Sequence, residues 1–343
     1  MRVGVARRGV TGRILTGLPG FVIPAPCPAS GRIGFLAVSK RQRRAVRPEN
    51  PTAPGQRAAT TRRVKERKVR DVFVARPFEG LTDEVEWIAM RELVPAATAP
   101  LRLAPEYAER AAGRDVVLAT VLPLAWPAMS RSDGRIFLGL QRPFTSGDVS
   151  RDLAAALLSA LDAEPGGTVD VPPLPGPGPR LQDVLADVTL DITLHEGFDF
   201  WIGEAVDSDP NVRASLERAN ESIQPTVRLA AAPAAYWCQV PGKAHVRWVL
   251  SEEEDTALAA LARLAAAGEL SLGHGTRFAG MFRAHGLLVP VWDLPRDAEA
   301  ASWEEPLAEF EKRYTGALGV SEPLSAEQRR ARQGLLGRQL TLR

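Results

Sequence analysis

Beyond residue 70 the chain switches repeatedly between helical and strand periodicity. Val85, Ile88, Ala89 and Leu93 share one helical face, Thr82 is placed to cap that helix, Asp83 and Glu84 suit its first turn, and Pro95 stops it. Extended segments follow at 101–103, 116–122 and 136–140, with Ser130 to Arg135 as a hairpin turn before the last. Ser150 then opens a helix to residue 163 with Leu153, Leu157, Leu158 and Leu161 inward. The stretch 164–180 holds six prolines and four glycines and reads as a stiff loop. A short helix at 181–186 and strands at 188–194 and 198–202 follow.

The order then recurs. Asp209-Pro210 starts a helix with Val212, Leu216, Ala219 and Ile223 on its apolar face, and Pro225 ends it. Strands are expected at 226–229, 234–240 and 245–250, and Ser251 with Glu254 as a capping box before an Ala/Leu helix to residue 267. Two strands close the unit at 277–283 and 287–292. Pro100-Leu-Arg102-Leu103 has a counterpart in Pro225-Thr-Val-Arg228-Leu229, and the His195-Glu196-Gly197 turn has one in His285-Gly286. The pattern predicts an α+β fold of two similar lobes, 71–205 and 206–296, each a mainly antiparallel or mixed sheet with flanking helices. Residues 297–343 form a helical C-terminal extension, with Leu307, Phe310 and Tyr314 as anchors and Ser325 and Gln328 as a capping box.

Charge divides the chain differently. Residues 1–70 carry 17 Lys and Arg against 2 acidic residues, whereas 71–343 carry 26 against 39. A segment so basic and so poor in large apolar residues cannot offset its chain entropy, so 1–70 reads as a disordered arm, with 1–39 as an over-extended translation start. The cluster Arg62, Arg63, Lys65, Arg67 and Lys68 would attract a phosphate polymer, nucleic acid or ribosome, in a salt-sensitive manner. No apolar run is long enough for a membrane span, and the stretch after Arg7-Arg8 is broken by glycine and proline, so the chain reads as cytoplasmic. Cys27 lies in the arm and Cys238 in the body, which argues against a disulfide, and Cys238 reads as a buried small hydrophobe.

Chemistry is sparse. No zinc-ligand spacing, phosphate loop or nucleophile elbow is present, so no metal or cofactor is implied. If the two turns face each other, His195, Glu196 and His285 would meet in an inter-lobe cleft as candidate acid–base residues. The commoner use of such histidines is local hydrogen bonding. Arg102 and Arg228, equivalent in the repeat, could clamp an anion or form internal ion pairs.

Several stretches carry a resemblance: Arg76-Pro-Phe-Glu-Gly-Leu81, Ala119-Thr-Val-Leu-Pro-Leu-Ala-Trp-Pro127, His195-Glu-Gly-Phe-Asp-Phe-Trp201, Ala284-His-Gly-Leu-Leu-Val-Pro-Val-Trp-Asp293 and the closing Arg338-Gln-Leu-Thr-Leu-Arg343. Over 71–343 the chain resembles an uncharacterised family of actinobacterial proteins, some labelled as a preprotein-translocase ATPase. The Walker motifs of such a motor are missing, and the resemblance brings no catalytic residues. The leading expectation is a non-enzymatic cytoplasmic protein, its acidic body meeting a protein partner and its arm touching nucleic acid or the ribosome. A hydrolase or transferase with an inter-lobe site, or an interaction protein without nucleic acid, are the alternatives.

Overall fold

The computed structural model describes residues 71–338 apart from 144, 170, 172, 173, 175, 203–209 and 298. The described residues form two five-stranded sheets and eight α-helices, so the fold is α+β. The first half runs α1 Glu84–Glu92, β1 Ala97–Leu101, α2 Pro105–Ala111, β2 Val116–Ala119, β3 Ala128–Ser130, β4 Ile136–Gly139, α3 Val149–Asp162, α4 Leu181–Val184 and β5 Thr193–Leu194. The second runs α5 Pro210–Asn220, β6 Thr226–Leu229, β7 Ala235–Val240, β8 Lys243–Trp248, α6 Glu254–Ala267, β9 Arg277–Ala284 and β10 Leu287–Leu294. Helices α7 Glu304–Leu318 and α8 Ala326–Leu336 form the extension. No helix among the described residues is long and apolar enough to cross a membrane.

The first sheet has the order β3-β4-β2-β1-β5 and is mixed, because β2 and β4 run parallel. The second has the order β6-β7-β8-β10-β9 with every pair antiparallel. The halves differ in strand order and also in element order, since α2 separates β1 from β2 with no counterpart between β6 and β7, and α3 is followed by α4 and the short β5 where α6 is followed by β9 and β10. Strand β1 lies inside its sheet between β2 and β5, while β6 is an edge strand.

Alternation along the strands sorts the side chains into separate cores. On the first sheet Leu118 and Leu138 face a core that also takes Tyr236, Phe282 and Val289 from the second sheet. Helix α1 stands in this shared layer, which is why Trp87, Ile88, Ala89 and Met90 are all buried instead of a single stripe. Behind the second sheet, Trp237, Trp248 and Trp292 pack with α6, α7 and α8. Behind the first, Ala119 and Phe137 pack with Phe198, Trp201 and α5.

Several local expectations change. Thr82 does not cap α1: the N-cap is Asp83, left-handed at φ 58, while the Thr82 hydroxyl donates to Asp187 and Asp83 Oδ2 accepts from the Leu190 amide at 2.8 Å. Ser251 does not cap α6, since its hydroxyl donates to Glu252 and the helix begins after Glu253. Residues 198–202 contain a tight 3-10 turn over Asp199–Trp201, not a strand. That turn stacks Phe198 on Trp201 with ring centroids 4.3 Å apart, gathering the aromatic residues on one side. The capping box of Ser325 and Gln328 forms as read.

Candidate functional site

His195 follows β5 and continues its pairing, its amide donating to Ala96 O at 2.9 Å. Its Nε2 lies 2.8 Å from the Thr98 hydroxyl and its ring 4.9 Å from Phe200, and burial lowers its pKa against a weaker opposing pull from Asp199. His285 sits at the tip between β9 and β10 with φ 48. Its Nε2 is 2.9 Å from Glu92 Oε1 and its ring meets the edge of Phe78 at 5.1 Å. Glu196 is exposed. Among the described residues no hydrogen bond, ion pair or ring contact joins these three: His195 secures the first sheet, whereas His285 ties the second sheet's hairpin to α1.

The two arginines are also separated in role. Arg102 is exposed, one residue past β1, beside a crevice that includes Thr82, Trp87 and Leu185. Arg228 lies inside β6, and its Nη2 donates to Glu86 Oε1 at 2.5 Å. The buried Glu86 carboxylate also accepts from the Ala234 amide at 3.0 Å and the Tyr236 hydroxyl at 2.8 Å. This network is closed: burial and the adjacent carboxylate push the Tyr236 phenol far up, so it stays protonated and donates to Glu86. Arg62, Arg63, Lys65, Arg67 and Lys68 lie outside the described residues.

A different set of residues lines the open space between the sheets. A cleft of about 200 Å³ is bounded on one side by Glu92–Pro95 and Gln141, and on the other by Gln224, Thr226, Cys238, Val240 and Arg247. Glu92 is already paired with His285 and with Arg91 Nε at 3.3 Å. Burial alone would raise its pKa, but His285 and Arg91 outweigh that effect and lower it. Arg247 differs, because among the described residues no hydrogen bond or ion pair engages it. Its charge reaches both Cys238 and His245. The uncompensated charge of the cleft is therefore positive.

The register of the second sheet sets a polar row beside Arg247. Thr226 pairs with Cys238, Cys238 with His245, His245 with Asp293 and Asp293 with Arg277, one residue from each of the five strands. His245 Nδ1 lies 3.2 Å from Asp293 Oδ1, and Asp293 Oδ2 accepts from Arg277 Nη2 at 2.5 Å. Burial raises the Cys238 thiol pKa and lowers that of His245, so both are neutral near pH 7. The row was accessible from sequence at one point. Pro241-Gly242 is a two-residue turn with Gly242 at φ 83, which pairs Val240 with Lys243 and so sets Cys238 opposite His245. Asp293 and Arg277 join only through the long-range order of β8, β10 and β9, which no local signal reports.

Among the described residues no group of three or more His, Cys, Asp or Glu side chains is arranged to hold a metal ion. Comparison with curated proteins and with solved structures returns no match. A family profile, by contrast, matches residues 77–343, all but the arm and the first few residues of the folded body, and the chain belongs to that family, described as a family of unknown function (DUF5926).

Proposed function

We propose that the chain is a cytoplasmic binding protein whose cleft between the sheets takes a small anionic ligand, with the Arg247 guanidinium as its ion-pairing group. The observation that carries this reading is Arg247 itself: a half-buried guanidinium in the cleft wall with no protein partner among the described residues. A guanidinium presents a planar fork of donors that fits a carboxylate or phosphate, and leaving it partly desolvated and unpaired costs stability that a bound anion would offset. Gln141, Gln224 and Thr226 supply neutral polar groups around the charge. Isothermal titration with glutarate and with phenyl phosphate tests it. Saturable binding of at least one, weakened about tenfold or more in Arg247→Gln, is expected. Equal affinity in the two proteins would overturn the assignment.

The charge division favours a second activity for the arm. With 17 basic residues against 2 acidic, residues 1–70 suit electrostatic association with a phosphate polymer, nucleic acid or the ribosome, leaving the acidic body free for a protein partner. Fluorescence anisotropy with a labelled RNA should give affinity that falls linearly in log–log form with salt and is lost on deleting 1–70. Retention of binding by the body alone would assign it to the folded part.

A further inference from the structure

The cleft holds more than a charge, because its wall includes the one free cysteine of the described residues. We propose that Cys238 is a nucleophile that accepts an acyl group from an activated ester or thioester bearing an anionic end, with His245 as its base, Asp293 holding the imidazole and Arg247 receiving the anion. The inference rests on the cleft reading and names the substrate class of that same site.

The argument is one of register and charge. Directly opposed residues on antiparallel strands carry Cβ atoms about 4.5–5.5 Å apart, which sets the thiol and the facing imidazole side by side on one face of the sheet. Cys238 and His245 are such a pair, and His245 and Asp293 are the next. Asp293 Oδ1 stands 3.2 Å from His245 Nδ1, a distance at which a small turn of the ring brings the buried and otherwise unpartnered Nδ1 into hydrogen-bonding geometry, and Arg277 pairs with the same carboxylate. The order nucleophile, base, orienting carboxylate is what an activated thiol requires. A thiol held protonated by burial is a poor nucleophile alone and needs a neutral base beside it, which is the state that burial gives His245. The other charges facing this base are Arg247 and Lys243 on its own strand, and Asp293 across from it.

In the step itself the Cys238 sulfur attacks the acyl carbon. The S–C bond forms as the bond from that carbon to the leaving oxygen or sulfur breaks. The thiol proton passes to His245 and from it to the leaving group, so no oxidant or metal enters.

The test uses the full chain and the mono-para-nitrophenyl ester of glutaric acid, an activated ester with a free carboxylate. Release of para-nitrophenolate is followed by absorbance, and the adduct by intact mass and peptide mapping. One glutaryl group per chain, on Cys238 and removed by hydroxylamine, is expected, with none in Cys238→Ser. His245→Gln should slow acylation about a hundredfold, and Asp293→Asn about tenfold, each with a thermal melt establishing that the variant is folded. Absence of the adduct on Cys238 overturns the proposal, as does a wild-type rate in either folded variant. The cleft reading fails separately. If glutarate binds Cys238→Ala but no acylation occurs in the intact chain, only the nucleophile is lost. If the neutral para-nitrophenyl butyrate acylates Cys238 as fast as the anionic ester, and Arg247→Gln changes neither rate, the anion site is lost while the nucleophile stands.

Discussion

At the scale of single residues, internal charge has two uses, one in construction and one as unpaired charge in the cleft wall. Glu86 shows the first use. Its carboxylate is buried, yet Arg228, Tyr236 and the Ala234 amide satisfy it, so the cost of desolvation is met inside the protein. Removing one partner should expose that cost: Glu86→Gln is expected to destabilise by about 3 kcal/mol and Tyr236→Phe by about 1 kcal/mol, read from urea denaturation midpoints. Arg247 is the opposite case, a guanidinium in a cleft whose carboxylate, Glu92, already belongs to His285 and Arg91. Residue type alone does not separate these arginines. Arg228 and Arg102 stood out in the sequence because they recur beside proline and leucine, while Arg247 carried no local mark, and which arginine finds a partner depends on the packing of α1 against β6.

At the scale of elements, α1 holds the two sheets together through both of its ends. Glu86 reaches β6 and β7 near its start, and Glu92 reaches the β9–β10 tip through His285. The Glu92 contact gives a pH dependence with a definite sign. Its pKa is below the ordinary 4.5 in the folded state, so the contact stabilises above that value and is lost as pH falls from it through the depressed one. Urea denaturation over that acid limb should show a steeper loss in the wild type than in His285→Asn. The same hairpin tip is sterically closed: Gly286 has φ 91, and a Cβ there would lie 2.9 Å from Arg76 Cβ and 3.0 Å from Ala75 O. Gly286→Ala should therefore cost about 2 kcal/mol, measured as a lowered melting temperature. Elements with strong periodicity were legible in the sequence: α3, α5, α6 and α7, and strands β6 to β10, lie within a few residues of where the hydrophobic pattern puts them. Helix α2 was not, because Pro105–Ala111 buries only Ala111 and leaves no apolar face to read. The 198–202 segment misled for the converse reason, since Phe198, Phe200 and Ile202 alternate as in a strand although Trp201 turns inward to donate to Val121 O at 2.8 Å.

At the scale of the whole molecule, the two sheets share one core. Leu118 and Leu138 of the first sheet pack in the cluster that contains Tyr236, Val289 and Val291 of the second, with α1 between them. The repeated order of helix and strand in the sequence predicted two sheets, but their relation lies in long-range contacts: β5 returns to pair with β1, while β10 inserts beside β8. A core common to both sheets should unfold as a unit, so tryptophan fluorescence and far-ultraviolet circular dichroism are expected to report coincident urea transitions. The same arrangement sets the cleft, since Glu92–Pro95 and Gln141 come from one half and Cys238 and Arg247 from the other. The most direct test of that site is a nuclear magnetic resonance titration of the protein with small carboxylates and phosphates, observing the Arg247 side-chain Nε–H and the backbone amides of β7 and β8. Saturable shifts at Arg247 and Cys238 with at least one of these anions, abolished in a folded Arg247→Gln variant, are predicted. Shifts absent from Arg247 for every anion, or unchanged at Cys238 in the variant, would contradict the account.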